Sequence, residues 1–135
     1  MSRDERIVDV SAAGRYLEKA EEFLRACTAA IDRGDPTVGV STAVHAGICA
    51  VDAYLAHEHG VRSVAADHHA SVKLLREKGG PQVREQCNDL ERLIAQKSKA
   101  EYGDRLSTPK EAATAATRAE RLVAWVRDQT KGAKQ

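Results

Sequence analysis

A chain of 135 residues, 42% hydrophobic and 30% charged, is long enough for one domain whose core needs no disulfide or structural metal, and its composition excludes a disordered protein. Its net charge of +1 hides an uneven distribution, because residues 1–67 carry seven Lys/Arg against eleven Asp/Glu and residues 68–135 carry fourteen against nine. The basic second half can meet a polyanion or an acidic partner, although a solvated helix face gives the same imbalance.

Apolar residues at helical spacing predict two long helices in the first half of the chain. The first stripe begins at Tyr16 and ends near Gly34, where glycine interrupts the pattern. Asp35 followed by Pro36 is typical of an N-cap with proline in the first turn, so a second helix begins there. Its stripe continues to Gly60.

Three further helices are predicted in the second half. The third carries an apolar stripe that ends at Gly79, before a second glycine and a proline. The fourth contains the stripe from Val83 to Ile94. The fifth begins at Thr108, because Glu111 stands at the position that completes a capping box.

No segment was assigned to a strand, and no repeat or long linker divides the chain. We therefore predict an all-α fold, an up-and-down bundle of about five helices. A single domain over residues 1–135 is expected, with flexible ends at about 1–11 and 130–135.

The sequence also indicates a cellular compartment. The longest uncharged stretch, residues 36–51, is shorter than a bilayer span, and the N-terminus MSRDERIVDV has no apolar signal core. Three separated cysteines at apolar helical positions suit reduced, buried thiols: Cys27, Cys49 and Cys87. We expect a cytoplasmic protein without a membrane segment.

His45, Cys49 and Asp52 lie nearly on one face of the second helix, because His45 and Asp52 are seven positions apart. These residue types can bind a metal, but no second histidine or acidic cluster completes a site of the kind found in helical bundles. We interpret His45 and Asp52 as buried polar groups hydrogen-bonded to neighbouring helices, and we expect no metal.

The turn before the third helix carries a denser polar group: Arg62, Ser63, Asp67, His68 and His69. Arginine offers a fixed cationic fork for phosphate, histidine exchanges a proton near neutral pH, and a helix N-terminus has unpaired N–H groups that suit anions. RNA cleavage needs no metal when a base takes the 2′-hydroxyl proton and a cation stabilises the phosphorus centre. A solvated loop also accounts for this spacing.

Four segments carry a resemblance to a known family: GRYLEKAEEFLRAC from Gly14, STAVHAGICAVDAYLAHEHGVRSVAADHHASVKLLRE from Ser41, KSKAEYGDR from Lys97, and the last helix ending RLVAWVRD. In order and length they resemble the HEPN family (higher eukaryotes and prokaryotes nucleotide-binding) in a compact bacterial form, over most of the chain. The resemblance implies a helical bundle that commonly dimerises. Many members are metal-independent endoribonucleases with an Arg-x(4 to 6)-His motif, often toxins or defence effectors.

Carried onto this chain, the resemblance makes Arg62 and His68 the catalytic pair, with His69 as an alternative one position later. The family usually joins two motif copies across a dimer axis, which implies a composite cleft. Ser63 stands where active members often place Asn, Asp or His. Asp67 would either orient the imidazole or repel phosphate.

Any RNA would be held mainly through its backbone, because aromatic residues make up only 4% of the chain and offer little stacking surface. The expected substrate-binding residues are Ser63, Asp67 and Lys73. Three further cations are candidates for phosphate contacts, although each also suits a solvated surface: Arg76, Lys97 and Lys99.

Two functions follow from these patterns. One is a HEPN endoribonuclease of toxin-antitoxin or defence type that acts on RNA as a homodimer. The other is a non-catalytic HEPN module that dimerises and pairs with an antitoxin or nucleotidyltransferase, or binds a nucleotide. Neither requires a cofactor.

Overall fold

The helical bundle predicted from the sequence is confirmed by the computed structural model, which describes residues 5–64 and 67–131. Within those residues the chain forms five α-helices and two short strands. In chain order these are β1 Glu5–Ile7, α1 Ala12–Asp32, α2 Pro36–His59, β2 Val61–Ser63, α3 His69–Gly79, a 3₁₀ helix Gly80–Val83, α4 Arg84–Tyr102 and α5 Pro109–Gln129.

The core is built around α2, of whose 24 residues fourteen are buried. It packs against α1, α4 and α5. Small residues allow this close packing, and Gly47 is the clearest case. A Cβ atom at Gly47 would lie 2.8 Å from Leu93 Cδ1 of α4 and 3.3 Å from Leu122 Cδ1 of α5. The backbone of α2 therefore lies directly against both helices.

By length and composition α2 is the one helix among the described residues that is long and apolar enough to cross a membrane. The helix continues beyond the uncharged stretch, past Asp52 to His59, as its apolar stripe predicted. Two-thirds of its most apolar window (67%) is buried inside the bundle. A helix enclosed to this extent has the environment of a core helix.

The two strands were not expected, and our prediction of no strands was wrong. β1 and β2 pair antiparallel, with Arg6 opposite Arg62, and the N–H of Val8 continues the ladder by donating to the Gly60 carbonyl at 2.9 Å. Gly60 ends α2 with a φ of 64°, a left-handed conformation that glycine adopts without strain. Each strand has three residues, too few for an alternating pattern to be visible in the sequence.

The pairing attaches the N-terminal segment to the chain beside Arg62. β1 lies within residues 1–11, which we expected to be a flexible end. Residues 1–4 and 132–135, which belong to the two expected flexible ends, lie outside the described residues, as do residues 65–66 of the turn.

The predicted helix caps are partly confirmed. The capping box of α5 is present, because Thr108 Oγ1 accepts from the Glu111 N–H at 3.1 Å and Glu111 Oε1 accepts from the Thr108 N–H at 2.8 Å. Asp35 occupies the N-cap position of α2 before Pro36, but its side chain makes no cap hydrogen bond and pairs with Arg33 instead. The three cysteines are free and buried, as expected.

Replacing Thr108 with alanine should lower the free energy of unfolding by about 1 kcal/mol, because α5 loses the hydroxyl that accepts one of its first N–H groups. Thr117 provides a matched control in the same helix, since its hydroxyl donates to the Ala113 carbonyl one turn earlier and does not cap the helix. Thr117→Ala should leave stability unchanged or raise it slightly. Urea denaturation followed by circular dichroism measures both variants, and equal losses would contradict the role of the cap.

Candidate functional site

Arg62 lies in β2, where the end of α2 and the strand pairing hold its backbone. Its half-buried side chain extends to α1, and Nη1 donates to the Tyr16 hydroxyl at 3.1 Å. The guanidinium carbon lies 5.4 Å from the centre of the Tyr16 ring, within the range of a cation–π contact. Tyr16 therefore fixes the position of the arginine fork.

A buried carboxyl accompanies this arginine. Asp52 of α2 is only 7% exposed, and burial raises its pKa to about 6, against the opposing attraction of Arg62 and Lys19. Burial, followed by the Asp52 charge, also raises the pKa of the Cys49 thiol to about 11. Asp52 therefore places a titratable negative charge close to Arg62, whereas Cys49 stays a neutral thiol at physiological pH.

Ser63 was expected to help bind substrate, but the structure turns it inward. The residue is 8% exposed, and within the described part of the chain its Oγ atom is buried without a hydrogen-bond partner. A buried hydroxyl in this position is not available to RNA from the surface.

His68 lies on the other side of the motif, immediately before α3. Its half-buried ring approaches α4, where Lys97 Nζ lies 3.4 Å from His68 Nε2. An ammonium group can only donate, so this contact suits a neutral imidazole with a lone pair on Nε2 and its proton on Nδ1. Lys97 also pairs with Glu101 one turn later, at 3.7 Å.

The groups around His68 lower the pKa of its imidazole. Burial lowers its pKa most, the positive charge of Lys97 and the nearby His45 ring lower it further, and Asp67 and Glu101 act in the opposite direction. The imidazole is therefore mainly in its basic form at neutral pH, which is the form a general base requires.

An open pocket of about 210 Å³ lies beside this imidazole, between the beginning of α3 and the last turns of α4. Both of its walls carry polar groups, and Tyr102 at its rim is 86% exposed. The lining residues are Asp67, His68, His69, Ile94, Lys97, Ser98, Glu101 and Tyr102.

The N-terminus of α3 does not offer the unpaired N–H groups that the sequence suggested. Asp67 Oδ1 accepts from the His69 N–H at 2.9 Å, and the Asp67 carbonyl accepts from the Ala70 N–H at 3.0 Å. The Ser71 N–H donates to the His68 carbonyl at 3.0 Å. Asp67, which precedes the N-cap residue His68, thus satisfies the first N–H of the helix, and the expected anion site there is already filled by the protein's own carboxylate.

The predicted site residues separate into two clusters. Asp67, His68 and His69 meet at the pocket, whereas Arg62 and Ser63 lie with Tyr16 and Asp52. No hydrogen bond joins Arg62 to His68 in the part of the chain that the structure describes. Lys73, the remaining predicted residue, is exposed on α3, one turn beyond His69.

One face of α2 connects the two clusters. His45 is close enough to His68 to lower its pKa, and Asp52, about two turns later, acts on Arg62. The His45 ring bonds to the Ser41 carbonyl of its own helix at 2.8 Å. Among the residues that the structure describes, it makes no hydrogen bond to a neighbouring helix, which we had expected. Among the described residues, no group of three His, Cys, Asp or Glu side chains could hold a metal ion.

Sequence reasoning missed Tyr16, which belongs to the apolar stripe of α1 and was not expected to contact Arg62. Lys97 is among the cations that the sequence offers as candidates for phosphate contacts, but its contact with His68 is not predicted. Lys97 stands at the beginning of the segment KSKAEYGDR, which was a signal for the region but not for a contact with His68.

Comparison with known proteins agrees with this architecture. A family model described as the HEPN domain matches residues 13–129, which includes all five helices apart from the first residue of α1. No curated protein matches the chain.

Replacing Asp52 with asparagine should remove part of the pH dependence of stability. Because the pKa of Asp52 is raised from 3.8 to about 6 in the folded protein, folding favours the protonated carboxyl, and stability falls as pH rises from about 4 to 6. The full effect is on the order of 3 kcal/mol.

Asp52→Asn should therefore be more stable than wild type at pH 7 and show a flatter profile between pH 4 and 6 in urea unfolding. Asp128, whose side chain is 72% exposed, supplies the control, since Asp128→Asn should leave the profile unchanged. If the stability of Asp52→Asn depends on pH as steeply as that of the wild type, the destabilisation attributed to the buried Asp52 carboxylate is contradicted.

Proposed function

Since the chain belongs to the HEPN domain family, we propose that it is a metal-independent endoribonuclease that acts as a homodimer, with Arg62 and His68 at the site of cleavage. The observation that carries the proposal is the environment of His68. A neutral imidazole stands at an open pocket with a cation 3.4 Å from its Nε2 atom. This combination provides a base and a charge that attracts phosphate.

The reaction follows from these groups. His68 Nε2 accepts the proton of an RNA 2′-hydroxyl, and the 2′-oxygen forms a bond to the adjacent phosphorus. The bond between phosphorus and the 5′-oxygen breaks, and that oxygen takes a proton from water. The products are a 2′,3′-cyclic phosphate and a 5′-hydroxyl, and the guanidinium of Arg62 stabilises the negative charge that develops on the phosphate oxygens.

The separation of Arg62 from His68 supports a dimer. Within one chain Arg62 is held by Tyr16 of α1, whereas His68 faces Lys97 of α4. Two copies related by a twofold axis present every motif residue twice. The arginine of one chain then completes the site at the histidine of the other.

The family and this chemistry support a cellular role as a toxin or defence effector. Uncontrolled RNA cleavage harms the cell, so such a protein requires an antitoxin partner that blocks the site. We place the protein in the cytoplasm, where RNA and a reducing environment occur together.

One feature favours the second candidate function, a non-catalytic HEPN module that binds a nucleotidyltransferase or a nucleotide. Asp67 places a carboxylate next to His68 and occupies the N-terminus of α3. A fixed negative charge there opposes the approach of phosphate, and Ser63 is too buried to compensate.

Purified protein incubated with mixed RNA in EDTA should cleave it, and His68→Ala and Arg62→Ala should each reduce the rate by about 100-fold or more, because they remove the base and the charge-stabilising group. Arg92→Ala is the control at an exposed position and should retain activity. His69→Ala distinguishes the two adjacent histidines and should retain activity if His68 is the base. If His69→Ala is inactive and His68→Ala is active, the base is His69. Intact RNA with a folded dimeric wild type would favour the binding module.

Mixing the two inactive variants tests the shared site. If each site takes its arginine and its histidine from different chains, a heterodimer of Arg62→Ala and His68→Ala contains one complete site. An equal mixture that exchanges subunits should then recover about a quarter of wild-type activity. A mixture that exchanges subunits, as shown by native mass spectrometry, and stays inactive would contradict the shared site.

A further inference from the structure

Lys97 is unusual among the lysines of α4 because its side chain is only 15% exposed. Lysine is rarely buried to this degree unless its ammonium group has a partner. Here the partners are the His68 ring, with Nε2 at 3.4 Å, and the Glu101 carboxylate, at 3.7 Å. Lys99, two residues further along the same helix, is exposed.

These contacts put the ammonium where a substrate phosphate has to lie. A 2′-hydroxyl that donates to His68 Nε2 has its phosphorus about 3 Å away along the line of attack. The non-bridging oxygens of that phosphate then fall within reach of an ammonium that already stands 3.4 Å from Nε2. Binding of the substrate requires Lys97 to release Nε2 and to donate to a phosphate oxygen.

Arg62 does not perform this role within the same chain, because its guanidinium is engaged by Tyr16 on the α1 side of the motif. The charged and titratable groups that act on His68 are Lys97 of α4, His45 of α2, Asp67 before α3 and Glu101 of α4. Of these, Lys97 alone is always cationic at neutral pH.

We propose that Lys97 is the phosphate-binding cation of the His68 pocket and a catalytic residue of the cleavage reaction, an inference that rests on the proposed function. In the resting protein the ammonium donates to Nε2 and keeps that nitrogen unprotonated. During the reaction it neutralises charge on the phosphate that the 2′-oxygen attacks.

The first test uses NMR titration of the His68 ring, which does not depend on cleavage. Removing the Lys97 charge in Lys97→Met should raise the pKa of His68, since Lys97 lowers it in the wild type. Lys97→Arg keeps the charge and should keep the His68 titration near that of wild type. Lys99→Met is the matched control and should have no effect.

The second test measures binding of an oligonucleotide with 2′-deoxy sugars, which cannot be cleaved by this route. Lys97→Met should weaken binding and reduce the slope of log affinity against log salt by about 0.7, the value for one phosphate contact on a single strand. Lys99→Met should change the slope less. In active preparations Lys97→Met should also slow RNA cleavage, and the acidic limb of its pH profile should move to higher pH.

The two proposals fail in different ways. If Lys97→Met changes neither the His68 titration nor the salt slope relative to Lys99→Met, the role of Lys97 is overturned, even if the wild type cleaves RNA. If both change but the wild type leaves RNA intact, Lys97 binds phosphate without cleavage, which overturns its catalytic role together with the nuclease.

Discussion

The burial of α2 is the constraint on which the rest of the structure depends. A helix with this many small and apolar side chains is stable only when neighbouring helices cover it, and α1, α4 and α5 do so. Cys49 and Asp52 are therefore buried with the rest, His45 on the same face is half-buried, and the chain after Gly60 lies beside this face. The position of β2 and of the beginning of α3 follows from how α2 ends.

Enclosure also sets the chemistry of the polar groups. Side chains on other helices determine the position and the charge environment of each motif residue. Tyr16 and Asp52 act on Arg62, and Lys97 acts on His68. Burial raises the pKa of the Asp52 carboxyl against the attraction of Arg62, and burial together with the Lys97 charge lowers the pKa of the His68 imidazole. Such perturbed groups beside a pocket are typical of functional sites, although ion-pair networks also produce them.

Much of the helical architecture can be read from the sequence because the chain marks its helix ends clearly. Thr108 and Glu111 begin α5 through a capping box, and Gly60 ends α2, each for a local reason that needs no knowledge of the fold. The β1–β2 pairing was invisible because it depends on two segments of three residues that meet only in the folded chain.

The site was harder to predict for the same physical reason. Helical spacing establishes which residues share a face, so His45 and Asp52 were grouped correctly on α2. It does not establish which helix that face meets, so the contact of Lys97 with His68 could not be inferred. The sequence allows Asp67 two roles, and its bond to the His69 N–H supports a third, as the acceptor for the first N–H of α3.

The central claim is that a neutral His68 activates the 2′-hydroxyl of RNA without a metal, and the chemical ends of the products test it most directly. RNA treated with the wild-type protein in EDTA should yield fragments that end in a 2′,3′-cyclic phosphate and begin with a 5′-hydroxyl, as identified by mass spectrometry. Fragments that carry a 5′-phosphate and a 3′-hydroxyl, or RNA that a folded dimer leaves intact, would contradict the account.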